Sequence, residues 1–187
     1  MEDRRTRYTK IVIKEALIEL LEQKPLNKIT VTELCTKCEI NRSTFYRYYL
    51  DVYDLWDKLK SQFVSELKAA ISISKDDYTI SGFTEEILEV ILNNKELSRI
   101  LFTLKNGKDF LDDVLEIAHM KCVEKWARTG KNLPEKQIAY LSTFISAGTI
   151  GVLDDWIQNN FKESPTEIAE LIENISHFGI SRIIYEA

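Results

Sequence analysis

The sequence predicts an all-α protein: an N-terminal three-helix domain containing a helix-turn-helix, followed by a larger helical domain. Three observations carry this. The 187 residues are 44% hydrophobic, enough for a sizeable core. Only 3 prolines and 6 glycines interrupt them. Apolar residues recur at spacings of three and four, almost never in strict alternation, which is the period of helices and not of strands.

The first helix is expected from about Thr6 to Lys24, with Ile13, Ala16, Leu17, Leu20 and Leu21 on one stripe and Pro25-Leu26-Asn27 as its stop. Thr30 and Glu33 then form a capping box that opens a two-turn helix burying Val31, Leu34, Cys35 and Cys38. After Glu39-Ile40-Asn41, with Asn41 as N-cap, a third short helix runs to about Tyr48. At 100° per residue Arg42, Ser43, Tyr46 and Arg47 share an arc of about 140°, with Phe45 and Tyr49 nearly opposite. One face is therefore polar and basic, and the other aromatic. Asp51 and Asp54 start a fourth helix reaching about Ile71.

Residues 72–82 read as a looser boundary, followed by helical segments near 84–94, 97–105 and 109–128. Pro134 suits the first position of a long helix reaching about Asn160. Ser164-Pro165-Thr166-Glu167 is a capping box that opens the last helix. The resulting division is 1–50, a helix-turn-helix domain; 51–71, a connecting helix; and 72–187, a second domain.

The net charge of -5 hides an asymmetry. Residues 1–49 carry 10 basic and 7 acidic side chains, a net of +3, which leaves -8 for the rest of the chain. Phosphate binding therefore belongs to the N-terminal quarter. Two short helices joined by a three-residue link, the second presenting arginines and hydroxyls, have the build of a major-groove reader. An arginine fork there can pair with guanine, while hydroxyls and aromatic edges reach phosphates and thymine methyls.

Ile29-Thr30-Val31-Thr32-Glu33-Leu34 followed by Ser43-Thr44-Phe45-Tyr46-Arg47-Tyr48-Tyr49 resembles the DNA-binding domain of the TetR/AcrR family of bacterial regulators, a likeness spanning roughly Thr6 to Phe63. It implies an all-α homodimer that binds double-stranded operator DNA and whose second domain takes a ligand or a partner. The DNA-binding residues expected are Lys28, Thr32, Arg42, Ser43, Thr44, Tyr46, Arg47 and Tyr48. Two positions depart from the family pattern. Glu39 stands where the turn usually has glycine, so a side chain sits at or near a left-handed conformation. Val52 replaces the usual lysine at the start of the fourth helix and removes a phosphate contact, so that grip is expected from Lys28, Thr32 or Tyr48.

The resemblance continues more weakly in Phe144 to Gly151 and in Trp156-Ile157. Glycine costs ~1 kcal/mol in a helix interior, so Ala147, Gly148 and Gly151 on one face point to another helix approaching closely. With Ile168, Leu171, Ile172, Ile175 and Gly179 of the last helix they form the expected dimer interface. Phe102, Phe110, His119, Trp126, Tyr140 and Phe144 are the aromatic candidates for a pocket holding a small apolar effector.

Other classes are disfavoured. Cys35-x-x-Cys38 with His119-x-x-Cys122 has zinc-like spacing, but the first pair lies on an apolar stripe and reads as small core residues, so no metal and no cofactor is expected. No nucleophile with an ordered base and no glycine-rich phosphate loop appears, so an enzyme is not expected. With no apolar leader at its start, no long apolar run and an odd cysteine count, the chain reads as cytoplasmic, with no membrane partner. The expected function is a ligand-responsive repressor acting on a roughly palindromic operator. The alternative is a coactivator or interaction module of the same fold that does not read an operator by itself.

Overall fold

The computed structural model describes residues 3–73, 80–103, 114, 117, 120 and 134–185, and of residues 72–73, 80–83, 135 and 177–185 the backbone only. Among these residues all regular structure is helical, and no helix is long and apolar enough to cross a membrane. The chain divides into two units, Met1–Phe63 and Val64–Ala187.

In the first unit α1 (Arg4–Leu21) buries Ile13, Ala16, Leu17 and Leu20, while Leu21 is only half-buried. The helix ends three residues short of Lys24 because that residue precedes Pro25, which disfavours a helical backbone there. Lys24 instead turns its ammonium onto both oxygens of Glu33, at 2.5 and 2.6 Å. The capping box of α2 (Val31–Lys37) is consequently half made. The Glu33 N–H donates to Thr30 Oγ1 at 3.2 Å, but the carboxylate takes the cation, the stronger partner, in place of the Thr30 N–H.

α2 closes in a Schellman turn: Glu39 N–H donates to the Thr36 carbonyl at 3.3 Å and Ile40 N–H to that of Cys35 at 3.0 Å. Glu39 occupies the left-handed position, with φ of 54°, as its place in the turn predicts. α3 (Arg42–Tyr46) stops two residues before Tyr48, and Asn41 sits at its N-cap without a side-chain hydrogen bond. α4 (Val52–Ile73) crosses from one unit into the next. Ile13, Leu17, Leu34, Phe45 and Leu55 are wholly buried in the first unit, each contributing ~1.5 to 3 kcal/mol through burial.

In the second unit, numbering the described helices in chain order, follow α5 (Ile80–Asn93), α6 (Lys95–Thr103), α7 (Glu135–Gln158) and α8 (Pro165–Tyr185). The segment expected to be helical at 109–128 lies outside the described residues apart from Val114, Ile117 and Met120. α5 pairs extensively with α8, and α7 packs on both α6 and α8. Leu88, Ile91, Leu97, Leu101, Trp156, Ile157 and Ala169 fill this core. Asn94, between α5 and α6, donates to Glu66 Oε2 of α4 at 3.2 Å.

The capping box of α8 is complete. Ser164 Oγ accepts from Glu167 N–H at 3.2 Å, and Glu167 Oε2 accepts from Ser164 N–H at 2.8 Å. The Ser164 N–H and the Ser164 hydroxyl, each donating to Glu167 Oε2 at 2.8 Å, hold the Glu167 carboxyl below its ordinary pKa.

Candidate nucleic-acid interface

α3 is amphipathic in the sense its sequence predicts. Phe45 is wholly buried and Tyr49, just past the helix, is nearly so, their ring centroids 5.6 Å apart. Arg42, Ser43, Tyr46 and Arg47 are exposed, and Thr44 is half-buried. Tyr46 stays 55% exposed although its ring meets Phe45 edge-on. Arg42 and Arg47 have no hydrogen bond or ion pair among the described residues, and Lys28, exposed at the end of the short 3-10 turn Leu26–Lys28, has none either. Thr32 is exposed on α2, its carbonyl accepting from Thr36 Oγ1. The fold thus holds three cations and several hydroxyls at the surface without neutralising the cations.

Tyr48 is half-buried and serves as a strut. Its hydroxyl lies 3.4 Å from Thr6 Oγ1 in the first turn of α1, Lys10 Nζ sits 5.6 Å from its ring centroid, and its carbonyl accepts from Lys58 Nζ at 3.1 Å. The end of the recognition segment is thereby tied to both α1 and α4.

The cysteine pair belongs to the core. Cys35 and Cys38 are both buried, and Cys38 Sγ donates to the Val12 carbonyl of α1 at 3.6 Å. Burial pushes the Cys38 thiol up to about 11, with Cys35 adding to the effect. Burial also raises Cys35, partly offset by Arg42. Such thiols stay protonated at neutral pH and pack as small apolar side chains. His119 and Cys122 lie outside the described residues.

The start of α4 is closed by carboxylates. Asp51 Oδ1 accepts from Asp54 N–H at 2.8 Å and Asp54 Oδ2 from Leu50 N–H at 2.9 Å. Lys58 donates to Asp54 Oδ2 at 2.8 Å; this bond, with that from Leu50, lowers the Asp54 pKa. Val52 is buried, so its side chain is spent on the core.

The recognition motif does not single out Arg4, Arg5 and Arg7. All three are exposed in the first turn of α1, where no acidic residue stands, and none has a side-chain partner among the described residues. Cations at a helix N-terminus oppose its dipole, at ~0.3 to 1 kcal/mol each when exposed. The legible signal was that repetition of arginine at a helix start.

Over residues 78–178, more than half of the chain, the sequence matches the TetR family model described as "Transcriptional regulator C-terminal region". The chain belongs to the TetR family of transcriptional regulators. No curated protein sequence matches it. Among solved structures, the dihydroxyacetone kinase operon activator DhaS is similar at 18% identity, covering 92% of this chain and 96% of its own, with a TM-score of 0.69. The fatty acid degradation regulator FadR from Bacillus halodurans is 12% identical over 94% and 96%, with a TM-score of 0.64. A TetR regulator from Streptococcus agalactiae is 22% identical over 93% and 96%, at 0.58. At these identities the likeness concerns the fold.

In this TetR-family protein the remaining expected residues separate into two groups. Of the pocket set, Phe102 is buried in α6, whereas Phe110, His119 and Trp126 lie outside the described residues. Tyr140 and Phe144 are 66% and 73% exposed on α7. Of the interface set, Ala147, Gly148, Gly151, Leu171 and Ile175 are exposed. An added Cβ at Gly148 or Gly151 meets nothing within 4 Å. Ile168 and Ile172 are buried: they lie on the face of α8 turned into its own unit, which corrects their assignment to the interface. Gly179 lies outside the residues described beyond the backbone.

Proposed function

We propose that this TetR-family protein is a cytoplasmic, homodimeric DNA-binding repressor that occludes a roughly palindromic operator. The carrying observation is the outer face of α3, where Arg42, Ser43, Tyr46 and Arg47 stand exposed and the two arginines have no hydrogen bond or ion pair among the described residues. Arg42 and Ser43 occupy the first turn, where a recognition helix meets base edges, with Tyr46 and Arg47 one turn on. One such helix makes too few contacts for tight specific binding, so two protomers act on half-sites about one helical turn apart.

The dimer face is read as the exposed side of α7 with Leu171 and Ile175 of α8. At 100° per residue Tyr140, Phe144, Ala147, Gly148 and Gly151 fall within about 100° of arc, opposite the buried Leu153 and Trp156. Tyr140 and Phe144 therefore move from the pocket set to the dimer face. An apolar effector, seated among the aromatics of the second unit that include Phe102, would act by favouring one of two dimer states.

Enrichment from random duplex DNA followed by gel shift tests the reading: recovery of a two-fold symmetric motif is expected, and the absence of any enriched motif overturns it. That negative result is what a second reading requires, a coactivator that reaches DNA through a protein partner. The 79% exposed Leu50 and 53% exposed Tyr53 beside the recognition segment favour it, and DhaS, similar in fold, is described as an operon activator.

A further inference from the structure

We propose that the DNA backbone is gripped by a basic patch on α1, made of the Arg4, Arg5 and Arg7 side chains, in place of the start of α4. The proposal rests on the DNA-binding reading above and identifies where its non-specific affinity comes from.

Two sets of observations inside the first unit carry it. The first removes α4 as a donor of phosphate contacts. Val52, its first residue, is buried and uncharged; Asp51 and Asp54 take the Asp54 and Leu50 N–H groups; and the nearby Lys58 is held by Asp54 and the Tyr48 carbonyl. A phosphate approaching there meets two carboxylates and a cation already paired.

The second set places charge elsewhere. Arg4, Arg5 and Arg7 are exposed and have no side-chain partner among the described residues, and Glu2 and Asp3 precede them in the sequence. Thr6, between Arg5 and Arg7, lies against the Tyr48 hydroxyl at 3.4 Å, and Lys10, one turn on, sits over the Tyr48 ring. These two contacts hold the first turns of α1, which carry the arginines, against Tyr48, the residue next to Arg47 in the sequence. Three guanidiniums matched to phosphodiester geometry recover the contact that Val52 gives up. Their unfavourable placement in the helix dipole is also relieved when an anion binds.

The test is the salt dependence of binding by the full chain, followed by fluorescence anisotropy on the enriched duplex and on a random duplex between about 50 and 200 mM salt. Each lost phosphate contact lowers the slope of log affinity against log salt by ~0.9. Arg4→Ala/Arg5→Ala/Arg7→Ala is expected to flatten the slope by ~2 to 3 and weaken both duplexes by a similar factor, on the order of 10 to 100. The triple lysine variant keeps most of the slope, since a phosphate needs the charge. Circular dichroism checks folding, which alanine favours at these helical positions. A triple alanine variant with unchanged slope overturns the proposal, as does a lysine variant that loses as much as alanine. Wild type with no salt-dependent binding to either duplex overturns the DNA-binding reading itself.

Discussion

α3 and α7 each leave one face uncovered, and the two faces are opposite in chemistry. α3 exposes arginines and hydroxyls around a buried Phe45, whereas α7 exposes Tyr140, Phe144 and two glycines around a buried Trp156. Uncovered cations are well solvated and cost a single protomer little. Two adjacent exposed aromatics, with glycines that gain nothing from their own protomer, are disfavoured in water and in helix propensity alike. The difference separates the partners: α3 suits a wet, anionic surface and α7 a dry, apolar one.

The sharpest break in this comparison comes from neighbours on α3. Phe45→Ala removes a wholly buried ring and is expected to cost ~3 to 5 kcal/mol. Tyr46→Ala, which loses one edge contact on an exposed side chain, should cost ~1 kcal/mol. Urea unfolding of both variants decides this, and equal losses would mean that the two faces of α3 are not distinct.

On α7 the effect expected from the proposed dimer belongs to assembly. Phe144→Asp should weaken the dimer by ~2 to 4 kcal/mol, and Gly148→Leu with Gly151→Leu should dissociate it while leaving the protomer helical, since added side chains there meet nothing. Sedimentation equilibrium measures the one and circular dichroism the other. A dimer as tight as wild type places the interface elsewhere.

Next in size is the alkaline limb of the first unit. The folded Cys38 thiol sits at about 11, raised from 9.0 chiefly by burial. Its contribution is complete below the unfolded value and is lost as pH rises through the folded one. That amounts to ~2 to 3 kcal/mol between about pH 9 and 11, and Cys38→Ala should remove this part of the decline in a pH series of thermal melts. A variant whose melts fall as steeply as wild type would show that lysine deprotonation dominates. On DNA, Arg42→Ala and Arg47→Ala should each cost ~1 to 3 kcal/mol on the operator and relax its specificity. Equal losses on operator and random duplex would reassign them to phosphates.

The reader was legible because its signals are local. Thr30 with Glu33 and the Arg42 to Tyr49 periodicity sit within a few residues of one another, and both helices they predict are observed, the second ending two residues early. What was not legible depends on contacts far along the chain. Lys24 competing for Glu33 lies nine residues away, and the Tyr48 strut to Thr6 spans forty-two. In the second unit, periodicity marks Ile168, Leu171, Ile172 and Ile175 alike as apolar. It cannot assign the inward face to Ile168 and Ile172 and the outward one to Leu171 and Ile175, because α5 makes that choice by covering one side of α8. The exposure of Tyr140 and Phe144 was not legible for the same reason: an aromatic side chain reads identically whether it fills a pocket or faces solvent.

The smallest expected effect compares one turn from each unit. α2 and α7 both end in Schellman turns with a side chain at the left-handed position: Glu39, φ 54°, in the first and Asn160, φ 63°, in the second. Asparagine tolerates this conformation and glutamate does not. Glu39→Gly should therefore stabilise the first unit by up to ~1 kcal/mol, the relieved strain being partly offset by the freedom glycine gains when unfolded. Asn160→Gly should gain less than that, and it also loses the Arg99 hydrogen bond to Asn160 Oδ1 at 3.0 Å. Phe161, φ 53°, is strained too, but its ring meets Trp156 at 5.0 Å and carries the Arg99 guanidinium at 5.4 Å. Phe161→Gly should consequently destabilise, since two ring contacts outweigh one strained dihedral. Calorimetric melting of the three variants reads the order directly: Glu39→Gly above wild type, Asn160→Gly near or slightly below it, and Phe161→Gly lowest. Glu39→Gly melting below wild type would mean that the carboxylate makes a contact in the turn that outweighs its backbone strain.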